Sequence, residues 1–140
     1  MAVGTGIISI GTKLSYSAVP ATSYTDLNDL QDIPELGGAA EKVDVSTLAD
    51  GTRRYINGIV DYGDLVFTFL YDNDDASSSW RTLQGFNNAI KTWKITLPDT
   101  TTFVFTGYPY IKLNATGISA PLTFTLMINL NSAITITNPA

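Results

Sequence analysis

The sequence predicts a mainly β protein with one flanking helix. Two patterns and the size of the chain carry this reading. From Leu122 to Asn131, apolar Leu122, Phe124, Leu126, Ile128 and Leu130 alternate with Thr123, Thr125, Met127, Asn129 and Asn131. A period of two is the mark of a half-buried strand. By contrast, Trp80, Leu83, Phe86 and Ile90 recur every three to four residues, which is the spacing of a helix with one apolar stripe. The 140 residues make a single domain, since domains run to roughly 100–200 residues.

The elements follow in chain order. Residues 1–10 read as an N-terminal arm. Lys13 to Val19 alternates, with Leu14 and Tyr16 on one face. Residues 24–63 show little periodicity and hold Gly37-Gly38, Asp50-Gly51 and Gly58, so they read as one long loop. Loops of that length in a compact domain are functional or are ordered by a partner. Leu65-Val66-Phe67-Thr68-Phe69-Leu70-Tyr71 is the strongest strand of the first half. The helix is placed at 77–90, with Asp74, Asp75 and Ser77 ahead of it as cap oxygens and favourable negative charge. Gly85 inside it costs about 1 kcal/mol against Ala, so packing on a sheet must hold it. Thr92 to Leu97 is a strand ended by Pro98-Asp99. Thr102–Thr106 and Tyr108–Leu113 read as strands on either side of a break at Gly107 and Pro109. Ile134 to Thr137 alternates briefly after the long C-terminal strand.

Composition excludes several kinds of chemistry. There is no Cys and no His, which removes disulfides, thiolate sites, and the commonest general base and metal ligand. The net charge is −5, and no basic run exceeds Arg53-Arg54, so a counterion-displacing nucleic-acid surface is not expected. No stretch approaches the roughly 20 apolar residues of a membrane span. Asp72-Asn73-Asp74-Asp75 resembles the start of a calcium loop, but Ser77 and Leu83 stand where Gly and Glu are required, so no metal is assigned. Gly4-Thr5-Gly6 lacks the strand and helix of a dinucleotide site, and no cofactor is assigned. Asp26, Asp29, Asp32 and Glu35, interleaved with Leu27, Leu30, Ile33 and Leu36, read as a solvated or interface-forming linker rather than a glycosidic acid pair. Asn114-Ala115-Thr116 fits a glycosylation acceptor without a secretory context. A nucleophilic Ser would have only Lys or a carboxylate as its base, and no catalytic residue is assigned.

Charge and strand edges point instead to self-association. Residues 1–75 hold 12 acids and 4 bases, and residues 76–140 hold 1 acid and 4 bases, for nets of −8 and +3. Opposite ends of opposite sign favour head-to-tail stacking, which closes into rings or grows into filaments. The stretch 120–138 carries no charge. Monomers guard edge strands with charge or Pro, so this strand is either a pairing edge between copies or a covered central strand.

One stretch has a family likeness. It runs Ile33-Pro34-Glu35-Leu36-Gly37-Gly38, then Glu41-Lys42-Val43-Asp44-Val45-Ser46-Thr47-Leu48. Asp50-Gly51-Thr52-Arg53-Arg54-Tyr55-Ile56-Asn57-Gly58 follows, then Asp61-Tyr62-Gly63-Asp64-Leu65, Phe67-Thr68-Phe69 and Tyr71-Asp72. It resembles the tail tube protein (major tail protein) of long, non-contractile-tailed bacteriophages. The resemblance implies an antiparallel β-sandwich or partial barrel with one flanking helix and a long assembly loop. It implies hexameric rings, stacked head to tail into a hollow virion tube made in the host cytoplasm. The expected partners are other copies of the chain, a tape-measure protein in the lumen, and tail terminator and distal tail proteins. DNA passes through without specific binding, which suits a net-negative wall. Interface roles fall on Leu36, Val43, Val45, Leu48 and Ile56 through burial, and on Arg53, Arg54, Tyr55, Asp61 and Asp64. Arg53 or Arg54 is expected to pair with an acid of the next ring. Thr123 and Thr125 join them if the outer face of the C-terminal strand is intersubunit.

Two other readings compete. One is the tube protein of a contractile injection or secretion system. The other is a β-sandwich carbohydrate-binding module using Trp80, Trp93, Tyr108 and Tyr110 as a platform, against which stands the place of Trp80 on the helix's apolar stripe.

Overall fold

The computed structural model describes residues 6–8, 10–86 and 88–139. Of the arm expected at 1–10, residues 1–5 and 9 lie outside the described residues. Among the described residues there are ten strands and one helix: β1 (Lys13–Ser17), β2 (Thr25–Asp26), β3 (Leu30–Asp32), β4 (Ala39–Asp44), β5 (Tyr55–Asp61), β6 (Leu65–Leu70), α1 (Ser79–Gln84), β7 (Lys91–Thr96), β8 (Thr102–Leu113), β9 (Thr123–Leu130) and β10 (Thr135–Thr137). All pairings are antiparallel. The main sheet runs β2-β1-β7-β8-β9-β6-β3, with β10 beside β8, and β4 and β5 form a separate two-stranded sheet.

The main sheet curls into a partial barrel around an apolar core. Leu65, Phe67 and Phe69 of β6, Trp93 and Ile95 of β7, Phe105 of β8, and Phe124, Leu126 and Ile128 of β9 are all buried. Each fully buried side chain of this kind contributes about 1.5–3 kcal/mol. Register brings the aromatics together: Phe69 pairs with Phe124, and their rings stack at 5.2 Å.

The segment from β2 to β3 draws the two edges of the curl together. β2 pairs with β1, and four residues later β3 pairs with β6. Between them, the Leu27 N–H donates to the Leu14 carbonyl at 2.9 Å, and the Leu70 N–H donates to the Asp29 carbonyl at 2.9 Å. Leu27 is buried, and Leu30, Ile33 and Leu36 pack against the core. The acid–apolar repeat read as a solvated or interface linker is therefore a strap: its apolar residues face inward and its acids face out. Ser79 fixes α1 on this strap, accepting from the Asn28 N–H at 2.8 Å and donating to the Asn28 carbonyl at 2.7 Å.

Several expectations change. The helix spans Ser79–Gln84 and not 77–90, because Gly85 ends it and a turn carries Phe86. Phe86 still packs inward, with its ring 4.8 Å from that of Tyr16, so the apolar spacing reports burial beyond the helix end. Its N-cap is Ser78, without a side-chain cap bond. Asp72 and Asp75 accept from Asp74 and Ser77 within the preceding loop instead. β8 is one continuous strand across Gly107 and Pro109. Pairing with β7 stops at Gly107, so Pro109 lies beyond the point where β7 would need its missing N–H. Its carbonyl takes the Asn88 N–H at 3.4 Å. Gly107 is required by a close approach: a Cβ there would lie 2.5 Å from Ile128 Cγ2.

For β9 one of the two open readings holds, and for the loop the expectation changes. β9 pairs with β8 on one side and β6 on the other, so it is a covered interior strand and not a pairing edge, while β10 in the same uncharged stretch pairs, among the described residues, only with β8. Residues 24–63 are not one loop. They hold the strap and the β4–β5 hairpin, whose period-two pattern is broken by a register shift between Ala40 and Lys42.

Candidate assembly surface

The β4–β5 hairpin stands apart from the core. All seven residues of β5 are exposed, as are five of the six in β4. Its exposed apolar side chains are Val43, Leu48, Tyr55, Ile56, Ile59 and Val60. Leu48, at the tip, is fully exposed, and Ile59 is 81% exposed. Val43 pairs with Ile56 across the hairpin. Exposed apolar patches of this kind mark interaction sites.

The tip is held by a short polar network. Asp44 accepts from the Ser46 N–H at 2.8 Å and from Arg53 Nη1 at 2.9 Å. Asp50 accepts from the Thr47 N–H at 2.6 Å and from Arg54 Nε at 3.0 Å. The Arg54 N–H donates to Ser46 Oγ at 2.7 Å. The Ser46 N–H chiefly lowers the pKa of Asp44, with help from the Ser46 hydroxyl and Arg53. The Thr47 N–H, then Arg54, lower that of Asp50. Within the single subunit, Arg53 and Arg54 each pair with an acid of their own hairpin. Exposed ion pairs contribute about 0–1 kcal/mol each.

The other expected interface residues are scattered. Val45 is half-buried beside Arg54, whose carbonyl accepts the Val45 N–H at 3.0 Å. Leu36 packs against the main core. Asp61 accepts from the Gly63 N–H at 2.8 Å at the hairpin base, and Asp64 is exposed beside it. Thr123 and Thr125 lie on the outer face of β9 and hold Asn114. The amide nitrogen of Asn114 donates to Thr123 Oγ1 at 3.0 Å, and Thr125 Oγ1 donates to Asn114 Oδ1 at 2.8 Å. The structure brings Val43, Leu48, Arg53, Arg54, Tyr55 and Ile56 onto one hairpin and leaves Leu36, Thr123 and Thr125 on the body. Ile59 and Val60 were missed by sequence reasoning. Their signal was an apolar pair just after Gly58 in a stretch with no core strand to join.

The carbohydrate platform does not form. Trp93 is fully buried, with Nε1 donating to the Gly107 carbonyl at 3.3 Å. Trp80 packs edge-on against Tyr71 and Phe124, with ring centroids 5.2 and 5.1 Å apart. Among the described residues no group of three or more acidic side chains is gathered as a metal ligand set, and no helix is long and apolar enough to cross a membrane.

The site is thus an exposed apolar hairpin beside a curled antiparallel sheet with one short helix. The family model for phage tail tube proteins matches residues 6–139, and the chain belongs to that family. This is a family of structural proteins from the tails of phage-like particles. No curated protein matches it by sequence. Solved structures share the fold at low identity. A chain in the 6-fold symmetrised baseplate of the anti-feeding prophage superposes with TM-score 0.73 at 14% identity, covering 97% of this chain and 98% of that one. A chain in the tail of an empty GTA particle, refined with C6 symmetry, gives 0.68 at 17% identity, covering 89% and 94%. A chain in the extended PVC sheath–tube complex, an extracellular contractile injection system, gives 0.69 at 10% identity, covering 98% and 95%.

Proposed function

We propose that this chain is a structural, non-catalytic virion protein that assembles into hexameric rings, stacked head to tail as the hollow tube of a phage tail. The exposed apolar hairpin is the observation that carries the reading. A two-stranded sheet with both faces in water is marginal alone, and a neighbouring copy supplies the missing cover. Val43, Leu48, Tyr55 and Ile56 form the apolar part of that contact. Arg53, Arg54, Asp61 and Asp64 form its polar rim, and Val45 supports it from beneath. Leu36 joins through the strap beside the hairpin base, and Thr123 and Thr125 join through the outer face of β9. The tape-measure protein occupies the lumen, terminator and distal tail proteins close the ends, and DNA passes through unread.

Residues 33–72 favour a long, non-contractile tail. The likeness to chains of contractile injection systems favours a second reading, a tube enclosed by a contractile sheath. An outer sheath on isolated particles would decide for the second.

Negative-stain microscopy of the purified protein over a concentration series tests the proposal. Regular hollow rings or tubes are expected. A monodisperse monomer at every concentration, even with tail-tip complexes added as nuclei, would overturn it.

A further inference from the structure

We propose that the β4–β5 hairpin is a preformed arm that rocks on a glycine hinge at Gly37 and Gly63. The hairpin is a separate sheet, and β4 and β5 pack chiefly on each other. Among the described residues, the side-chain hydrogen bonds and ion pairs of this arm stay within residues 39–63. Its cation–π contact, Lys42 Nζ 5.5 Å from the Tyr55 ring centre, is also internal.

Two strands of chain attach the arm, and each carries a glycine in the left-handed region. Gly37 has φ 137° and Gly63 has φ 68°. Neither has a neighbouring atom within 4 Å of where a Cβ would stand, and among the described residues the one side-chain bond to them, from the Gly63 N–H to Asp61 Oδ1 at 2.8 Å, lies within the arm. Glycine at such positions moves between backbone regions that other residues avoid, and hinges concentrate their φ/ψ change in a few such residues.

Open space lies beside the hinge. A cleft of about 750 Å³ separates Asp61–Asp64 from Asn129–Ala133. A second, of about 730 Å³, lies between the same residues and Pro34–Ala39. The arm has room to turn, while the clamps at Asp44–Arg53 and Asp50–Arg54 keep its tip in shape. An arm of this kind takes its angle from the neighbour it meets, so identical subunits can meet at more than one angle.

The chain has no cysteine, which allows clean pairwise labelling. Donor-decay energy transfer at nanomolar protein, with unlabelled dilution as a check that copies stay apart, reads the distance distribution directly. One labelled pair joins tip to body (L48C with K112C), and a second lies within the arm (L48C with E41C). The tip-to-body distribution is expected to be about twofold broader than the within-arm one, and G37A with G63A should narrow it. Equal narrow widths would show a fixed arm and overturn the proposal. A within-arm distribution as broad as the other would show that the hairpin is not preformed, which also overturns it. An unchanged width in the double glycine variant would remove the hinge from Gly37 and Gly63.

Discussion

The curled sheet and the β4–β5 hairpin are built from similar residues and come to opposite ends. Leu65, Phe67 and Phe69 of β6 are buried while Val66 between them is exposed. Ile56, Ile59 and Val60 of β5 are comparably apolar, yet every residue of β5 is exposed. The difference lies in cover. β6 has β9 on one side, β3 on the other, and the core beneath. β5 has only β4. A strand's composition states how much cover it needs, and the fold decides whether its own chain supplies it. In the body the chain does; in the hairpin, on the reading proposed above, another copy does.

The comparison can be broken first at the core. Leu126→Lys places an unpaired charge among Phe67, Phe124 and Ile128, where the penalty is several kcal/mol even after relaxation. The variant is expected to fail to fold, as judged by loss of near-UV dichroism. Trp93→Ala should cost about 3–5 kcal/mol in urea unfolding. A loss below about 1 kcal/mol in either variant would contradict the buried positions described. Gly107→Ala comes next. Its added methyl meets Ile128 Cγ2 and the Asn129 carbonyl, and overpacking of this kind costs about 1–3 kcal/mol.

The hairpin should respond in the reverse sense. Leu48→Asp and Ile56→Asp alter exposed side chains, so the unfolding midpoint should move by no more than about 0.5 kcal/mol. Tube formation, scored by microscopy and sedimentation, should be lost. A variant that assembles normally would remove that residue from the contact. Thr125→Lys sacrifices its bond to Asn114, worth about 1 kcal/mol, and should leave a folded monomer that cannot close a ring. Normal rings would take the outer face of β9 out of the interface.

Acid gives the smallest effect. Folded-state bonds hold Asp44 and Asp50 below the ordinary aspartate value. Their contribution is therefore complete above the unfolded value of about 3.9 and is lost as pH falls through the lowered values. Amide exchange at Ser46 and Thr47, corrected for intrinsic rate, should quicken below that value before β9 opens. Simultaneous loss at both places would mean that the tip network adds nothing local.

Much of the body was legible because burial leaves a periodic trace. β6, β7 and β9 each pack one face on the core, and each reads as a strand from its alternation. The family was legible from residues 33–72. Three things were hidden, each for a physical reason. The helix looked longer because Phe86 is buried from a turn, so its spacing mimics another helical turn. The hairpin looked like a loop because a register shift between Ala40 and Lys42 interrupts its alternation and no core imposes sidedness. The central place of β9 was open because an uncharged strand suits both a covered centre and a pairing edge. Candidate interface residues were legible as a stretch rather than as a surface: Arg53 and Arg54 were visible, but their acids, Asp44 and Asp50, are local and intramolecular.

Hydrogen exchange on the free subunit and on assembled tubes tests the central claim most directly. The amides of β6, β7 and β9 should be strongly protected in both states. Those of β4 and β5 should exchange faster than those of β9 in the free subunit and slow markedly in the tube. Hairpin amides protected as well as those of β9 before assembly, or unchanged by it, would contradict the account.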